Sequence, residues 1–287
     1  MAVSQQSDLL HRQNLAYVPL TGRLLARHMR RRITFIKQQT SQLQDPDISV
    51  VIRTRNNEAH IASLLQDIQA QVYDGKVEII VVDTESTDKT VQLAKAAGAQ
   101  VITIKQTEFN YPKALNLGFE AANAPYIFTL VGHSNLSNKY LFKALTYWSQ
   151  KANFGGAYGT PLPNWDASRT ERLAIASTLG WRHRNPMILS EPYLGMLGAN
   201  GAVLKASVWR DLGRFDEQYG AGGEDGAIAR KMLDNDLLVV REPILSVYHS
   251  HGLGPANTVR QLRYWIKLSK PLEFDSDELK RYRSDLS

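Results

Sequence analysis

The chain has 287 residues, of which 43% are hydrophobic and 22% are charged, a balance typical of a globular protein. It contains no cysteine, which excludes disulfides, thiolate nucleophiles and cysteine metal sites and favours a reducing cytoplasm. No apolar run reaches the roughly eighteen residues of a membrane-spanning helix, and the polar start of the chain is not expected to be a signal peptide.

Basic residues concentrate near the two ends of the chain, although the net charge is only +6. Unless they form ordinary solvated helix faces, such clusters favour anionic partners: phosphates, an anionic membrane surface or nucleic acid. The clusters consist of Arg23, Arg27, His28, Arg30, Arg31, Arg32 and Lys37 at one end and Arg260, Arg263, Lys267, Lys270, Lys280, Arg281 and Arg283 at the other.

An amphipathic helix is predicted among the N-terminal basic residues, within a basic arm that covers residues 1–46. Its apolar face would either lie on a membrane surface or pack on the main domain. We favour packing, because apolar stripes of this kind are usually core contacts. The stripe is formed by Leu24, Leu25, Met29, Ile33 and Ile36.

From residue 47 onwards, β-branched runs alternate with segments of helical periodicity, the pattern of right-handed βαβ units. The pattern predicts one α/β domain over residues 47–255, followed by a basic helical tail over 256–287. Beyond residue 145 it loosens. Strands are predicted at 48–52, 77–82, 100–104, 126–131, 237–240 and 244–248, and helices at 58–72, 88–97, 111–122 and 224–234.

Ligands of such sheets bind at the carboxyl ends of the strands, which here are residues 53–58, 83–87 and 132–135. Asp83 leaves a buried strand and could accept hydrogen bonds from a base or a ribose. Ser86 and Thr87 stand at a helix start, where free backbone N–H groups favour anions. Taken alone, this segment could equally be an ordinary capped loop.

Four motifs together resemble inverting glycosyltransferases of family 2. Residues 81–90 read Val-Val-Asp-Thr-Glu-Ser-Thr-Asp-Lys-Thr and resemble the Val-Val-Asp-Asp-Gly-Ser-Thr-Asp hallmark of that family. Residues 48–58, 113–118 and 213–225 are similar to its first strand and loop, its Ala-Leu-Asn-x-Gly helix and its Gly-Phe-Asp-Glu … Gly-Glu-Asp pair. The resemblance covers residues 47–252. It implies the GT-A fold, a single Rossmann-like nucleotide-binding domain with a mixed central sheet.

The resemblance also implies a nucleoside diphosphate sugar as donor. Thr54, Arg55 and Glu58 would line the base and ribose, Asp83 would read the base, and Lys113 would contact ribose or phosphate. The other residues assigned to the donor are Ser86, Asn116 and His133.

The family's metal-binding Asp-x-Asp is absent, because Val131 and His133 occupy its two positions. Val131 cannot bind a metal, but a neutral imidazole can, and His249 and His251 lie where relatives often supply a further ligand. Two alternatives stay open. One is binding of a divalent cation, either Mn²⁺ or Mg²⁺. Imidazole is a better ligand for the softer Mn²⁺. The other is metal-free binding, with His133, Lys113 and Arg55 offsetting the diphosphate charge.

Inverting transfer needs a carboxylate that takes the proton of the acceptor hydroxyl. Asp225 is the predicted base and Glu224 the alternative, both in the Gly-Gly-Glu-Asp segment that opens a helix. Gly198, Asn200 and Gly201 resemble the segment that borders the acceptor in related enzymes.

The predicted function is therefore sugar transfer from a nucleotide sugar to a glycan, lipid-linked or other hydroxyl acceptor. A catalytically degenerate nucleotide-sugar-binding module is the alternative. A nucleotidyltransferase is disfavoured because the first loop, Arg-Thr-Arg-Asn-Asn, has no glycine. Nucleic acid is not expected as a partner, because no recognised motif or aromatic-basic platform is present. The absence of cysteine predicts a cytoplasmic protein, and the basic arm favours an acceptor at the inner membrane surface.

Overall fold

The computed structural model describes residues 21–164, 167–182, 185–190, 196–198, 200–219 and 223–268. The first twenty residues of the predicted arm, Gly222 of the Gly-Gly-Glu-Asp segment and residues 269–287 of the predicted tail lie outside this part.

The strands are β1 Ile48–Thr54, β2 Val77–Asp83, β3 Gln100–Thr103, β4 Tyr126–Val131, β5 Asn135–Leu136, β6 Phe154–Tyr158, β7 Met187–Ile188, β8 Ala202–Lys205, β9 Leu238–Arg241 and β10 Val247–Tyr248. The helices are α1 Thr21–Gln39, α2 Glu58–Gln69, α3 Thr90–Ala96, α4 Tyr111–Ala121, α5 Lys143–Ser149, α6 Arg169–Arg182, α7 Ala206–Asp211, α8 Glu224–Asp234 and α9 Pro255–Leu268, with 3₁₀ turns at Gln106–Glu108, Glu217–Tyr219 and Pro243–Leu245.

Eight strands form one mixed sheet in the order β3-β2-β1-β4-β8-β6-β9-β7. The first four strands are parallel, β8 is antiparallel to both β4 and β6, and β6 runs parallel to β9. The predicted α/β class and mixed central sheet are confirmed. Residues 48–54 form the centre of the parallel half and are nearly all buried, as a β-branched run between two helical layers requires.

The second half contains elements that the sequence did not indicate. β6 includes Gly155 and Gly156 and lies beyond residue 145, where the βαβ pattern of the sequence loosens. A Cβ on Gly156 would lie 2.9 Å from the carbonyl oxygen of Val203 on the neighbouring strand, so the small residue permits close strand packing. The strand predicted over 244–248 is partly wrong, because Pro243–Leu245 forms a 3₁₀ turn and only Val247–Tyr248 pairs as a strand.

Helix α1 packs on the domain through its apolar face. Met29 and Ile36 are buried, and α1 contacts α5 and the Pro243–Leu245 turn. Arg32 donates to both carboxylate oxygens of Glu242, whose side chain is fully buried and also accepts from Trp148 Nε1 at 2.9 Å. Met29, Ile33 and Ile36 of the predicted stripe therefore pack into or against the protein core, whereas the side chains of Leu24 and Leu25 lie outside the described part. Among the described helices, none is both long and apolar enough to cross a bilayer.

A two-stranded ribbon, β5 paired with antiparallel β10, lies beside the main sheet. It brings Asn135 opposite Tyr248. Asp67 of α2 fixes the ribbon, because its carboxylate accepts from Asn135 Nδ2 at 3.1 Å and from the backbone N–H of Leu136 at 3.0 Å. The ribbon thus joins segments more than a hundred residues apart, immediately beyond β4 and immediately before His249.

Candidate active site

The carboxyl ends of β1, β2 and β4 meet at one edge of the sheet. Thr54 is aligned with Asp83, and Arg53 with Val131. Gly132 N donates to the Arg53 carbonyl at 2.8 Å, so the chain beyond β4 stays against β1. A Cβ on Gly132 would lie 2.3 Å from Thr54 Oγ1, which explains why glycine is needed there. The predicted strand-end residues therefore share one edge.

The loop after β2 is held by the side chain of Asp83, which is buried. Its carboxylate accepts from the backbone N–H of Ser86 at 2.9 Å and from the Ser86 hydroxyl at 2.5 Å. Ser86 Oγ in turn accepts from Asn56 N at 2.8 Å, and Thr87 N donates to Asn56 Oδ1 at 2.8 Å. Asp83 and Ser86 thus tie the first two strand-end loops into one rigid unit.

Glu58 and Arg55 are exposed on the same edge. The carboxylate of Glu58 accepts from Lys89 N at 3.0 Å, while Asp88 accepts from Glu58 N at 3.0 Å, so the starts of α2 and α3 cap each other. Arg55 donates to Gln106 Oε1 at 2.7 Å.

Two predicted donor residues lie on α4, and the structure gives them different surroundings. Lys113 is partly exposed, 3.4 Å from Glu108. Asn116 is buried, and its amide donates to Phe215 O and Glu217 Oε1 and accepts from Trp209 Nε1 and Phe215 N. The Asn116 amide therefore connects α4 to the segment around Phe215, and these four bonds use its hydrogen-bonding groups.

His133, His249 and His251 come together in one cluster. The Nε2 atoms of His133 and His249 are 3.0 Å apart, and the ring of His251 lies 5.4 Å and 4.6 Å from the other two. One ligand atom from each imidazole can be chosen so that all three lie within 4.8 Å of one another. Asn164 Nδ2 donates to His133 O at 3.2 Å, and Glu171 accepts from His251 N at 2.8 Å, which fixes both loops.

The cluster has the chemistry of a cation site. The pKa of His249 lies well below its usual range. Burial is the largest cause, and the nearby positive charges of His251, His133 and Arg53 lower the pKa further. The imidazole is therefore neutral near pH 7, the form that binds a metal. Three imidazole ligands fit a divalent transition-metal ion better than they fit Mg²⁺.

The two carboxylates of the Gly-Glu-Asp segment occupy different environments. Gly223 has a φ of 109° and caps α8, so the chain turns sharply before Glu224. Glu224 is only 3% exposed and lies 4.0 Å from Arg53 Nη1, whereas Asp225 is partly exposed. One oxygen of Asp225 accepts from the N–H of Gly226 at 2.7 Å. The structure thus places the start of α8 against the end of β1.

The predicted acceptor segment borders the histidine loop. Asn200 Oδ1 accepts from the hydroxyl of Ser134, next to His133, at 2.7 Å. Asn200 Nδ2 is buried and has no hydrogen-bond partner among the described residues. Gly201 has a φ of 91° and donates to Thr129 O at 2.8 Å, and Gly198 accepts from Asn200 N. The side chain of Asn200 is therefore held at its Oδ1 end, beside His133.

Arg53 is a site residue to which the sequence reasoning gave no role. Its guanidinium lies 4.8 Å from the ring centroid of Tyr111, donates to the Tyr111 carbonyl at 3.5 Å and approaches Glu224. The sequence contained one signal for this role: Arg53 is a charged residue at the end of a largely apolar strand. A buried charge requires a specific partner, so such a residue is a candidate for a site.

The chain matches the family model described as "Glycosyl transferase family 2" over residues 49–208. It is 25% identical over 186 residues to the O-antigen chain rhamnosyltransferase WbaN of Salmonella anatum, a match that covers 62% of this chain and 58% of that protein. It is 34% identical over 99 residues to a dolichyl-phosphate hexose transferase of Haloferax volcanii, covering 34% of this chain and 42% of that protein. The matches thus span less than two thirds of either relative.

Two solved structures share the fold at low sequence identity. The mannosyltransferase PcManGT of Pyrobaculum calidifontis, in complex with GDP-Man and Mn²⁺, is 16% identical with a TM-score of 0.57, covering 91% of this chain and 73% of that chain. Residues 1–349 of TarS from S. aureus, in complex with UDP, are 15% identical with a TM-score of 0.56, covering 83% of this chain and 70% of that chain.

Proposed function

The chain belongs to glycosyl transferase family 2, and from this premise we propose that it transfers a sugar from a nucleoside diphosphate sugar to an acceptor hydroxyl, with inversion at the anomeric carbon. One observation carries the proposal. The 4.0 Å approach of Arg53 to Glu224 brings the Glu-Asp helix start to the edge where Thr54 and Asp83 meet.

The nucleotide sugar binds at the strand-end edge. Thr54, Arg55, Glu58 and the rigid loop of Asp83 and Ser86 face the base and ribose, and Lys113 and His133 face the diphosphate. Asn116 does not contact the donor but supports the site by holding the Phe215 segment against α4. Nucleotide ligands in both structural neighbours support this class of donor.

Asp225 acts as the general base and Glu224 as a positioning residue. Glu224 is buried against Arg53, so its carboxylate orients the start of α8, whereas Asp225 is accessible to an acceptor. Asp225 removes the hydroxyl proton as the acceptor oxygen attacks the anomeric carbon, and the bond to the diphosphate breaks on the opposite face. Gly198, Asn200 and Gly201 border a glycan or lipid-linked acceptor.

His133, His249 and His251 would hold a divalent cation, with Mn²⁺ favoured over Mg²⁺ by the imidazole ligands. Such an ion would offset the negative charge that develops on the leaving diphosphate. In this proposal Lys113 and Arg55 add further positive charge against the diphosphate.

A panel of donors tests the proposal. UDP-, GDP- and dTDP-sugars are each incubated with the protein in Mn²⁺, Mg²⁺ or chelator, and thermal stability and release of the nucleoside diphosphate are measured. We expect one nucleotide to stabilise the protein and to be released from its sugar. Asp225→Asn should lower the rate by about 10²-fold or more while donor binding persists.

Asp234→Asn is the matched control, because this exposed carboxylate lies at the other end of α8. It should retain the rate of the unchanged protein. Binding without turnover across acceptor hydroxyls would favour the degenerate binding module. No response to any nucleotide, or full activity in Asp225→Asn, would contradict the proposal.

A further inference from the structure

Helices α1, α6 and α9 form a strongly basic layer beside the candidate site. α6 contacts both α1 and α9. In the sequence of these three helices, lysine and arginine outnumber aspartate and glutamate by twelve to one. The net charge of the whole chain is only +6, so this layer is far more positive than the rest of the protein.

The single acidic residue of the layer does not weaken its charge at the surface. Glu171 of α6 is buried, and its two oxygens accept from the backbone N–H groups of His251 at 2.8 Å and Leu253 at 3.3 Å. The carboxylate is directed inwards, towards the chain that follows the histidine cluster. These bonds also place α6 next to the candidate site.

Apart from Arg32 and Arg172, which are partly buried, the described arginines of the layer are exposed. Arg27 and Arg31 are one turn apart on α1, and Arg169 and Leu173 are one turn apart on α6. All are exposed, and Leu173 is 71% exposed. On α9, Arg260, Arg263 and Val259 are exposed as well, Val259 by 45%. Each helix therefore presents an arginine-bearing face, and two of them add an apolar side chain.

The buried side of α1 limits how the layer can be used. Met29 and Ile36 are already buried in the protein, so these two side chains of α1 are unavailable for insertion into lipid. Among the described side chains of the layer, those that are exposed include several arginines and a few apolar residues. Arginine pairs well with phosphate oxygens, and basic side chains close to an anionic bilayer are attracted to its negative surface potential.

We propose that the outward face of α1, α6 and α9 binds the phosphate headgroups of an anionic lipid bilayer. The attraction is electrostatic and reversible, and Leu173 and Val259 reach the headgroup boundary without anchoring the protein. The proposal concerns binding alone and does not depend on sugar transfer.

Vesicle flotation of the full chain tests this surface. We expect cosedimentation or flotation with vesicles that contain about one third phosphatidylglycerol, none with pure phosphatidylcholine, and loss of binding as salt shortens the screening length to a few ångströms. Arg27→Glu/Arg31→Glu should weaken partitioning by roughly tenfold or more. Leu173→Ser should weaken it less, and should also affect the binding that persists at moderate salt.

Lys76→Glu/Lys95→Glu is the matched control, because it changes the net charge equally at exposed lysines outside the layer. It should float like the unchanged protein, and circular dichroism melting should show that all variants are folded. Equal loss in both double variants would overturn the proposal, since net charge alone would then explain binding. Absence of flotation with anionic vesicles at low salt, or preferential retention on nucleic acid, would overturn it as well.

Discussion

Asn116 and Asp67 show how single buried side chains connect segments that are distant in the sequence. The Asn116 amide joins α4 to the Phe215 segment through four hydrogen bonds. Asp67 joins α2 to the ribbon below the histidine cluster. Burial raises the pKa of Asp67 to about 6, against the opposing effect of its hydrogen bonds from Asn135 and Leu136.

The raised pKa of Asp67 predicts a stability that depends on pH. The pKa of Asp67 is higher in the folded state than in the unfolded state. Between these two pKa values the folded state binds more protons, so the free energy of unfolding falls as pH rises from about 4 to above 6. Relative to Asp67→Asn, the unchanged protein should lose on the order of 1 kcal/mol of unfolding free energy between about pH 5 and pH 7.

Chemical denaturation at the two pH values measures this difference. The exposed Asp211→Asn is the control and should follow the unchanged protein at both. A stability gap between Asp67→Asn and the unchanged protein that is the same at both pH values would show that Asp67 does not titrate in this range.

At the scale of elements, the first half of the fold was predictable and the second half was not. The boundaries predicted for β4 and α8 coincide with those observed, because a compact apolar run and a helical stripe are signals within one segment. β6, β5 and β7 are short or glycine-bearing and are stabilised by neighbours rather than by their own pattern. The sequence predicted His133, His249 and His251 as possible metal ligands and left metal-free binding open. The approach of Arg53 to Glu224 was not predicted, because it depends on the packing of α8 against β1.

Close packing of α4 on β1 depends on Gly118. A Cβ at this position would lie 2.3 Å from Val51 Cγ1, and Val51 is fully buried. Gly118→Ala should therefore lower the unfolding free energy by about 1–3 kcal/mol, because overpacking outweighs the gain in helix propensity of up to about 1 kcal/mol. Thermal denaturation measures the change.

Gly254→Ala serves as the comparison for Gly118→Ala, since a Cβ on Gly254 would have no atom within 4 Å. It should change stability by less than about 1 kcal/mol. If both substitutions have the same effect, the contact between α4 and β1 is looser than the structure indicates.

An ion pair between Arg32 and Glu242 connects α1 to the segment that follows β9. Arg32 and Glu242 are 210 positions apart, and Glu242 is fully buried. Removal of the arginine would leave a buried carboxylate with a reduced set of donors. Arg32→Ala should thus destabilise the protein by about 3–5 kcal/mol.

The exposed neighbour Arg30 provides the control for this ion pair. Arg30→Ala should change the unfolding free energy by less than about 0.5 kcal/mol in urea denaturation. Equal effects of Arg30→Ala and Arg32→Ala would mean that the docking of α1 contributes little to global stability.

The ribbon of β5 and β10 also sets the order in which the site can form during synthesis. Thr54, Asp83 and His133 are synthesised more than a hundred residues before His249 and His251. Because domains are made from the N-terminus onwards, the nascent chain can complete its parallel strands before the partner strand of the ribbon exists. The imidazole cluster consequently assembles after the strand-end edge, and a chain terminated before β10 would carry that edge without the cluster.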